Sequence, residues 1–416
     1  MRNPDINSTT NPSNLNLRRK LTVAGHFLFF GSIFFLFNPF FAIETIPRFG
    51  GFGILIAAGT LLSIIANPEF DKRVFFWIFL FNIVYIISIL RVNYIGLNSN
   101  LEEDGSVLEA ILTALLISAS MLMTGSLNVK VLKNALVIIG VPISFWFTLH
   151  YKELFDYTLR DSFQLGVIDY NSYQIVSQIL AITVISCLSS INLVEKYTIR
   201  NIILIIMSFV FLFGMSQGLA RGEYVALVFS ISILIFGPKL SILVIGAIYV
   251  CLPFIFSVID LPIIDRLLEV EQGDYGTRDY LFRSGFEAIV SDSTIFLIGG
   301  GLNHFQNLMN LPLESFPHNI FLESWISGGI LFFIVMISIY ITPIFKAALL
   351  IRLDLDQKFL LALCVFCALI GMKSGTIVSP WLIGLFSCCY LKLKFAPIQR
   401  QLGHKELDRS ARIQSV

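Results

Sequence analysis

The sequence predicts an all-α polytopic membrane protein with about 12 transmembrane helices and one large external loop that carries short helices. Three observations predict it. Apolar residues make up 56% of the 416 residues and charged residues only 14%, with a mean hydropathy of +0.79; soluble domains run near 45–50% apolar. Apolar runs close to the roughly 20 residues that cross a bilayer recur along most of the chain. From about Val258 to Gly329 that pattern gives way to a long polar stretch holding Arg266, Arg278, Arg283, His304 and His318.

Taken in order, residues 1–20 are rich in Asn, Ser and Thr, end in Arg18-Arg19-Lys20, and read as a cytoplasmic tail. The apolar run behind them is long and no small-x-small cleavage site follows, so it reads as an uncleaved first span. The predicted spans are 21–41, 49–66, 74–95, 107–125, 131–149, 173–192, 199–217, 222–237, 239–258, 319–344, 358–377 and 379–395. The chain therefore divides into a tail (1–20), nine spans (21–258), the loop (259–317), three further spans (318–395) and a solvated C-terminal tail (396–416).

Orientation follows from Lys and Arg in the short loops. One alternating set contains Arg18, Arg19, Lys20, Lys72, Arg73, Lys130, Lys133, Lys196, Arg200, Lys239, Lys346, Arg352 and Lys358. The other is poorer in cations and contains Glu44, Glu102, Glu103, Asp104, Glu153, Asp156 and Asp161. Both termini are therefore expected on the cytoplasmic side and the polar loop outside. The formal net charge of +1 says nothing about a polyanionic partner, and no nucleic acid is expected. The six cysteines, at 187, 251, 364, 367, 388 and 389, all fall in apolar runs, where neither a disulfide framework nor a zinc site is expected. Cys364-Val-Phe-Cys367 has redox-motif spacing but reads as two small buried apolar residues. No repeat is visible, nor two halves with matching broken helices, the pattern of many secondary transporters.

Several positions could carry chemistry. Arg221 follows a very short turn and opens a helix at Gly222, so its guanidinium and the free N–H groups of the helix start can face one anion; an interfacial anchor is the alternative. Leu281, Phe282, Phe286, Ile289 and Val290 recur at helical spacing, with Thr277 as N-cap, which puts Arg278 at a second helix start. Arg283, four residues after Asp279, is expected to pair with it. Pro317 marks the start of another helix, placing His318 where the helix dipole keeps the ring neutral, with Asn319 and Glu323 as further polar groups entering an apolar span. Gly328-Gly329 would let another helix or a ligand come close. Gly299-Gly300-Gly301 lacks the Lys-Ser/Thr of a nucleotide loop and is expected to pack tightly beneath the external loop; His304 beside it stays ambiguous.

Together these stretches resemble the O-antigen ligase/polymerase family of bacterial inner-membrane proteins. The residues that carry the resemblance are Ala220-Arg221-Gly222, Arg278-Asp279-Tyr280-Leu281-Phe282, Ile298-Gly299-Gly300-Gly301 to Phe305, and His318-Asn319-Ile320-Phe321-Leu322-Glu323 to Gly328-Gly329. Asp169-Tyr170-Asn171 adds a polar entry to a span, and Ala220 departs from the Ser or Thr common at that place. The resemblance implies a GT-C-like membrane glycosyltransferase in the bacterial inner membrane with a periplasmic active site. Its donor would be a glycan on undecaprenyl diphosphate, and its neighbours membrane lipid and the pathway's chain-length regulator and flippase. On that basis Arg221 and Arg278 would hold the diphosphate and His318 would act as base with Glu323 second. Arg283, His304 and Asn319 would be secondary, with neither metal nor cofactor expected. The resemblance does not separate a polymerase from a ligase acting on lipid A core. A transporter or flippase of the same glycans is the competing class.

Overall fold

The computed structural model describes residues 12–36, 45–66, 72–94, 106–123, 126–150, 173–191, 198–216, 221–244, 277–309, 317–349, 353–374 and 385. Among them every regular element is a helix and none is a strand. In chain order these are α1 (Pro12–Leu36), α2 (Thr45–Ala66), α3 (Lys72–Tyr94), α4 (Ser106–Met123), α5 (Val129–Leu149), α6 (Tyr173–Ser189), α7 (Ile199–Ser216), α8 (Arg221–Phe236), α9 (Thr277–Ser291), α10 (Ser293–Ile298), α11 (His304–Met309), α12 (Ile320–Leu349) and α13 (Leu355–Ser374). Among the described residues, five segments are long and apolar enough to cross a bilayer: Val74–Arg91, Val129–Leu149, Ile199–Ser216, Ile320–Phe345 and Leu355–Lys373. Shorter apolar helices cover 51–66, 111–123, 174–189 and 222–236. The chain is an α-helical membrane protein.

Helices occupy the described parts of the ranges predicted for spans one to eight, ten and eleven. The ninth is described only to residue 244, and the twelfth lies outside the described residues apart from 385, as do Arg266, Asp169-Tyr170-Asn171, Cys251, Cys388 and Cys389. Helical structure begins ahead of the first predicted span. Helix α1 starts at Pro12, a residue whose fixed φ suits a first turn, so Arg18-Arg19-Lys20 form an exposed cationic turn inside the helix.

Burial explains why these sequences form a bundle for lipid. On α3, Phe75, Phe76, Phe79, Ile83, Ile86, Ile87 and Leu90 face outward, whereas the inward face carries Phe81, Val84, Tyr85 and Ser88. A helix that shows a full row of Phe, Ile and Leu outward and buries a hydroxyl suits hydrocarbon surroundings, not water. Helices α6 and α13 are apolar all round and lie at the centre, buried without interruption over 176–187 and 359–368. Their buried hydroxyls bond along the helix, as in Ser186 to the Ile182 carbonyl and Thr183 to the Ile179 carbonyl. Cys187, Cys364 and Cys367 are buried free thiols, as expected for small apolar residues.

Small and polar residues set the crossings. A Cβ at Gly59 would lie 2.6 Å from the Phe29 amide nitrogen, so α1 and α2 meet backbone to backbone. Ser144 donates to the Thr183 hydroxyl at 2.9 Å between α5 and α6, and Asn82 donates to Ser118 at 2.7 Å between α3 and α4. At one end of the bundle Lys133 reaches Asp356 at 2.6 Å and the Ser189 carbonyl at 3.5 Å, joining α5, α6 and α13. The opposite end holds Arg91 and the site described below.

The largest departure from the sequence reading concerns α12. The predicted span 319–344 is not one straight rod. At Gly329 the backbone takes φ 70° and ψ −168°, a region open essentially to glycine alone. The chain reverses there. Phe321 and Tyr340 are 19 positions apart, about 28 Å along a straight helix, yet their rings pack with centroids 5.5 Å apart. Trp325 stacks on Phe333 at 4.3 Å in the same way. Residues 320–328 are therefore an arm about 13 Å long that lies antiparallel against the limb 330–349. The arm begins beside Tyr340, about halfway along the limb, and ends at the bend near Phe332.

Candidate functional site

Helices α9, α10 and α11 gather round the arm. Leu281, Ile289, Ile295 and Phe305 bury themselves against Leu322 and Ile326 of the arm, forming a second core apart from that of the bundle. Gly285 lets α9 approach; a Cβ there would come within 2.9 Å of Leu322 Cδ2. Only part of the predicted apolar face of α9 takes part. Leu281 and Ile289 are buried, but Phe282, Phe286 and Val290 form a separate exposed stripe, because helical spacing put two neighbouring stripes into one predicted face. Helix α9 begins at Thr277 itself, so the cap position falls on residue 276, outside the described residues. Arg278 is in the first turn as predicted, its side chain outside the described residues; Arg283 is exposed.

The Gly-rich turn lies on the bend. The amides of Gly300 and Gly301 donate to the carbonyls of Ile326 and Ser327 at 2.7 and 2.9 Å. Gly299, at φ 74°, packs so closely that a Cβ would sit 2.5 Å from the amide nitrogens of Gly328 and Gly329. The tight-packing role expected of this turn is what the geometry gives, and the visitor expected at Gly328-Gly329 is this turn. Asn303 follows at φ 60°, and His304 opens α11 with its ring over Gly300. Neither ring nitrogen of His304 makes a hydrogen bond. Burial holds its pKa below the ordinary imidazole value; Asp292 opposes that and Arg91 adds to it. Asp292 caps α10 by accepting from the Thr294 amide at 2.7 Å, a bond that lowers its own pKa.

His318 and Asn319 stand at the other end of the arm. Asn319 is the N-cap, its Oδ1 accepting from the amides of Phe321 and Leu322 at 3.0 and 3.1 Å. That structural duty occupies its oxygen, which the sequence reading had left open for substrate. His318 precedes it with φ 54°, an uncommon conformation for a residue with a side chain. Glu323 sits one turn into the arm and is 6% exposed. His318 and Asn319 are half-buried and Glu323 is buried, at a level about halfway along the limb. A Cβ on Gly371 of α13 would touch Ile320 and Tyr340 at 3.3 and 3.2 Å, so the arm's first residues abut the end of α13.

That end of α13 carries Lys373, and Lys373 leads to the helix that begins at Arg221. Its Nζ lies 2.8 Å from Glu223, a carboxylate with 0% exposure, and its methylenes lie across Gly222. Gln178 of α6 donates to the other Glu223 oxygen at 3.4 Å. Arg221 is the first residue of α8, as predicted, with its side chain outside the described residues. The starts of α8 and of the arm thus both adjoin the last turn of α13. His304 belongs elsewhere, at the bend with Arg91 and Asp292.

Arg91, Glu223, Lys373 and Gln178 were missed from sequence. Arg91 lay in a run read only as a span, although an Arg so placed is a signal in itself. Glu223, two residues after Arg221, and Lys373 in Met-Lys-Ser-Gly were also legible as charges bordering apolar runs; their pairing across 150 positions was not. Removing one partner strands the other in low dielectric. Lys373→Met is therefore expected to cost about 3–5 kcal/mol, seen as a fall in melting temperature in detergent. Lys373→Met with Glu223→Gln should recover most of it.

A scan against protein-family models matches none, and a search of curated proteins returns no match.

Proposed function

We propose that this protein is a membrane glycosyltransferase that polymerises glycan units carried on a polyprenyl (undecaprenyl) diphosphate, as an O-antigen or exopolysaccharide polymerase of the bacterial inner membrane. The reading places about 12 spans in the membrane, both termini in the cytoplasm and the site toward the periplasm. Its main support is one observation. The arm sets the half-buried His318 and Asn319 and the buried Glu323 beside the α13 end that packs on the helix starting at Arg221. The four motifs that carry the family resemblance fall on α8, α9, the Gly-rich turn and the arm.

The chemistry runs as follows. The acceptor hydroxyl oxygen attacks the anomeric carbon of the donor glycan as the carbon–oxygen bond to the diphosphate breaks. The hydroxyl proton passes to His318, with Glu323 alongside. Charge gathers on the departing lipid diphosphate, where Arg221 and Arg278 stabilise it through their planar guanidinium forks and the helix starts that bear them. Arg221→Ala and Arg278→Ala are each expected to lower transfer by about 100-fold or more while the protein still inserts, measured with a lipid-linked oligosaccharide in detergent. Gene deletion tests the acceptor: a polymerase deletion leaves single repeat units on the lipid A core, whereas loss of all surface glycan would reassign the protein as a ligase.

The buried Glu223–Lys373 pair favours a second reading, a carrier of the same lipid-linked glycans, since paired ionisable groups inside a membrane bundle commonly line a path. Proteoliposomes decide between the two: movement of the lipid-linked glycan without sugar transfer would replace the enzyme by the carrier.

A further inference from the structure

Arg91 stands in the last turn of α3, where the fold ties three backbones together. Its Nη1 donates to the Ile298 carbonyl at 2.5 Å and also to the Gly299 carbonyl. One residue is the last of α10 and the other its C-cap, so neither oxygen has a helical partner ahead of it. A guanidinium can serve both at once, and its charge suits the negative end of a helix. Three positions earlier, the Ser88 carbonyl accepts from the Leu302 amide at 3.0 Å. Ser88 also faces the bend, where a Cβ at Gly328 would lie 2.7 Å from its Oγ. The turn so held passes the constraint on, through Gly300 to Ile326, Gly301 to Ser327, and the Trp325 indole to the Phe296 carbonyl at 3.0 Å. Arg91 thus anchors to α3 the pivot from which the arm hangs.

Resting on the glycosyl-transfer reading, the geometry points to Arg91 as a positioning residue: it fixes the angle of the 320–328 arm and so the place of His318, without touching substrate. The lever is long enough to matter. With an arm about 13 Å long, a tilt of about 10° at the bend moves its far end by about 2 Å, and a displacement of about 1 Å can cost 100-fold in rate. The diphosphate-binding arginines are not on the arm. Arg221 also lies outside the cluster packed on the arm, so loss of Arg91 is expected to act on kcat more than on donor binding.

The test uses full-length protein with Ser324→Cys on the arm, a fully buried position. Maleimide labelling of that thiol, above the background of the native cysteines, reports where the arm lies whether or not the protein transfers sugar. Arg91→Met is expected to speed labelling at least about tenfold, to lower kcat about 10–100-fold, and to leave KM for a lipid-linked oligosaccharide within about twofold. Adding Ser88→Cys and Leu302→Cys, whose backbones are hydrogen bonded at 3.0 Å, with formation of the disulfide checked by thiol titration, should restore slow labelling and turnover to Arg91→Met until a reductant is added. Unchanged labelling in Arg91→Met overturns the assignment, as does a fall in kcat that the disulfide does not rescue, which would make Arg91 a direct substrate ligand. If labelling responds as expected but the unmodified protein transfers no sugar, the anchoring stands and the proposed reaction falls.

Discussion

Replacing His318 with alanine is expected to stop chain extension, lowering transfer by about 100- to 10,000-fold, the range typical of a lost general base. A glycan gel of a deletion strain carrying the variant would show single repeat units only. Alanine changes two things at this position, because His318 holds φ 54° between Pro317 and the capping Asn319. Asn tolerates positive φ better than most residues but cannot take up the proton. His318→Asn should therefore keep the melting temperature of the parent and still lose transfer. Full activity in His318→Asn would remove His318 from the reaction and leave Glu323 as the next base to test. A drop in stability matching the drop in rate would make His318 a structural residue of the arm.

Gly329→Ala carries the largest expected effect on folding. The φ and ψ at Gly329 are strained for any residue with a side chain, at about 1–3 kcal/mol. The added methyl would also fall on the Leu297 carbonyl and lie 2.6 Å from the Ile298 amide nitrogen, both backbone atoms. Crowding of that kind costs about 1–3 kcal/mol more. A sum near 4 kcal/mol should lower the melting temperature in detergent by many degrees, or leave a protein whose α12 runs straight. In the second case the Phe321–Tyr340 and Trp325–Phe333 contacts would be gone, and a disulfide engineered between the arm and the limb would no longer form. Gly328→Ala meets side chains in place of backbone, but one is the Cβ of the fully buried Phe332 at 2.7 Å, so it too is expected to destabilise the bend.

Much of this arrangement was legible in the residues. Apolar runs placed nearly every described helix, since lipid leaves a chain little choice but to satisfy its backbone within each span. The helix starts at Arg221 and Arg278 followed from capping and periodicity, and the tight seat of Gly299-Gly300-Gly301 followed from the absence of a nucleotide signature. The reversal at Gly329 did not. Hydropathy sums apolarity along a window and cannot tell one rod from two segments folded back on each other, and Gly-Gly is compatible with both. The two stripes of α9 merged for a related reason, because Leu281 and Phe282 sit only about 100° apart on a helix. Long-range pairs such as Lys373 with Glu223, or Arg91 with the turn at 298–299, depend on which helices become neighbours.

The bend also bears on how the protein is made. Between residues 320 and 345 the nascent chain presents one apolar stretch long enough to be taken into the bilayer as a single unit. The finished fold divides that stretch, and an arm of about 13 Å cannot cross some 30 Å of hydrocarbon by itself. Its partners include Gly371, which is synthesised after it. The arm therefore reaches its final place only after the limb is anchored and α13 has emerged. On the proposed function, the site would then be among the last parts to assemble, which would keep an incomplete chain from acting on lipid-linked glycan.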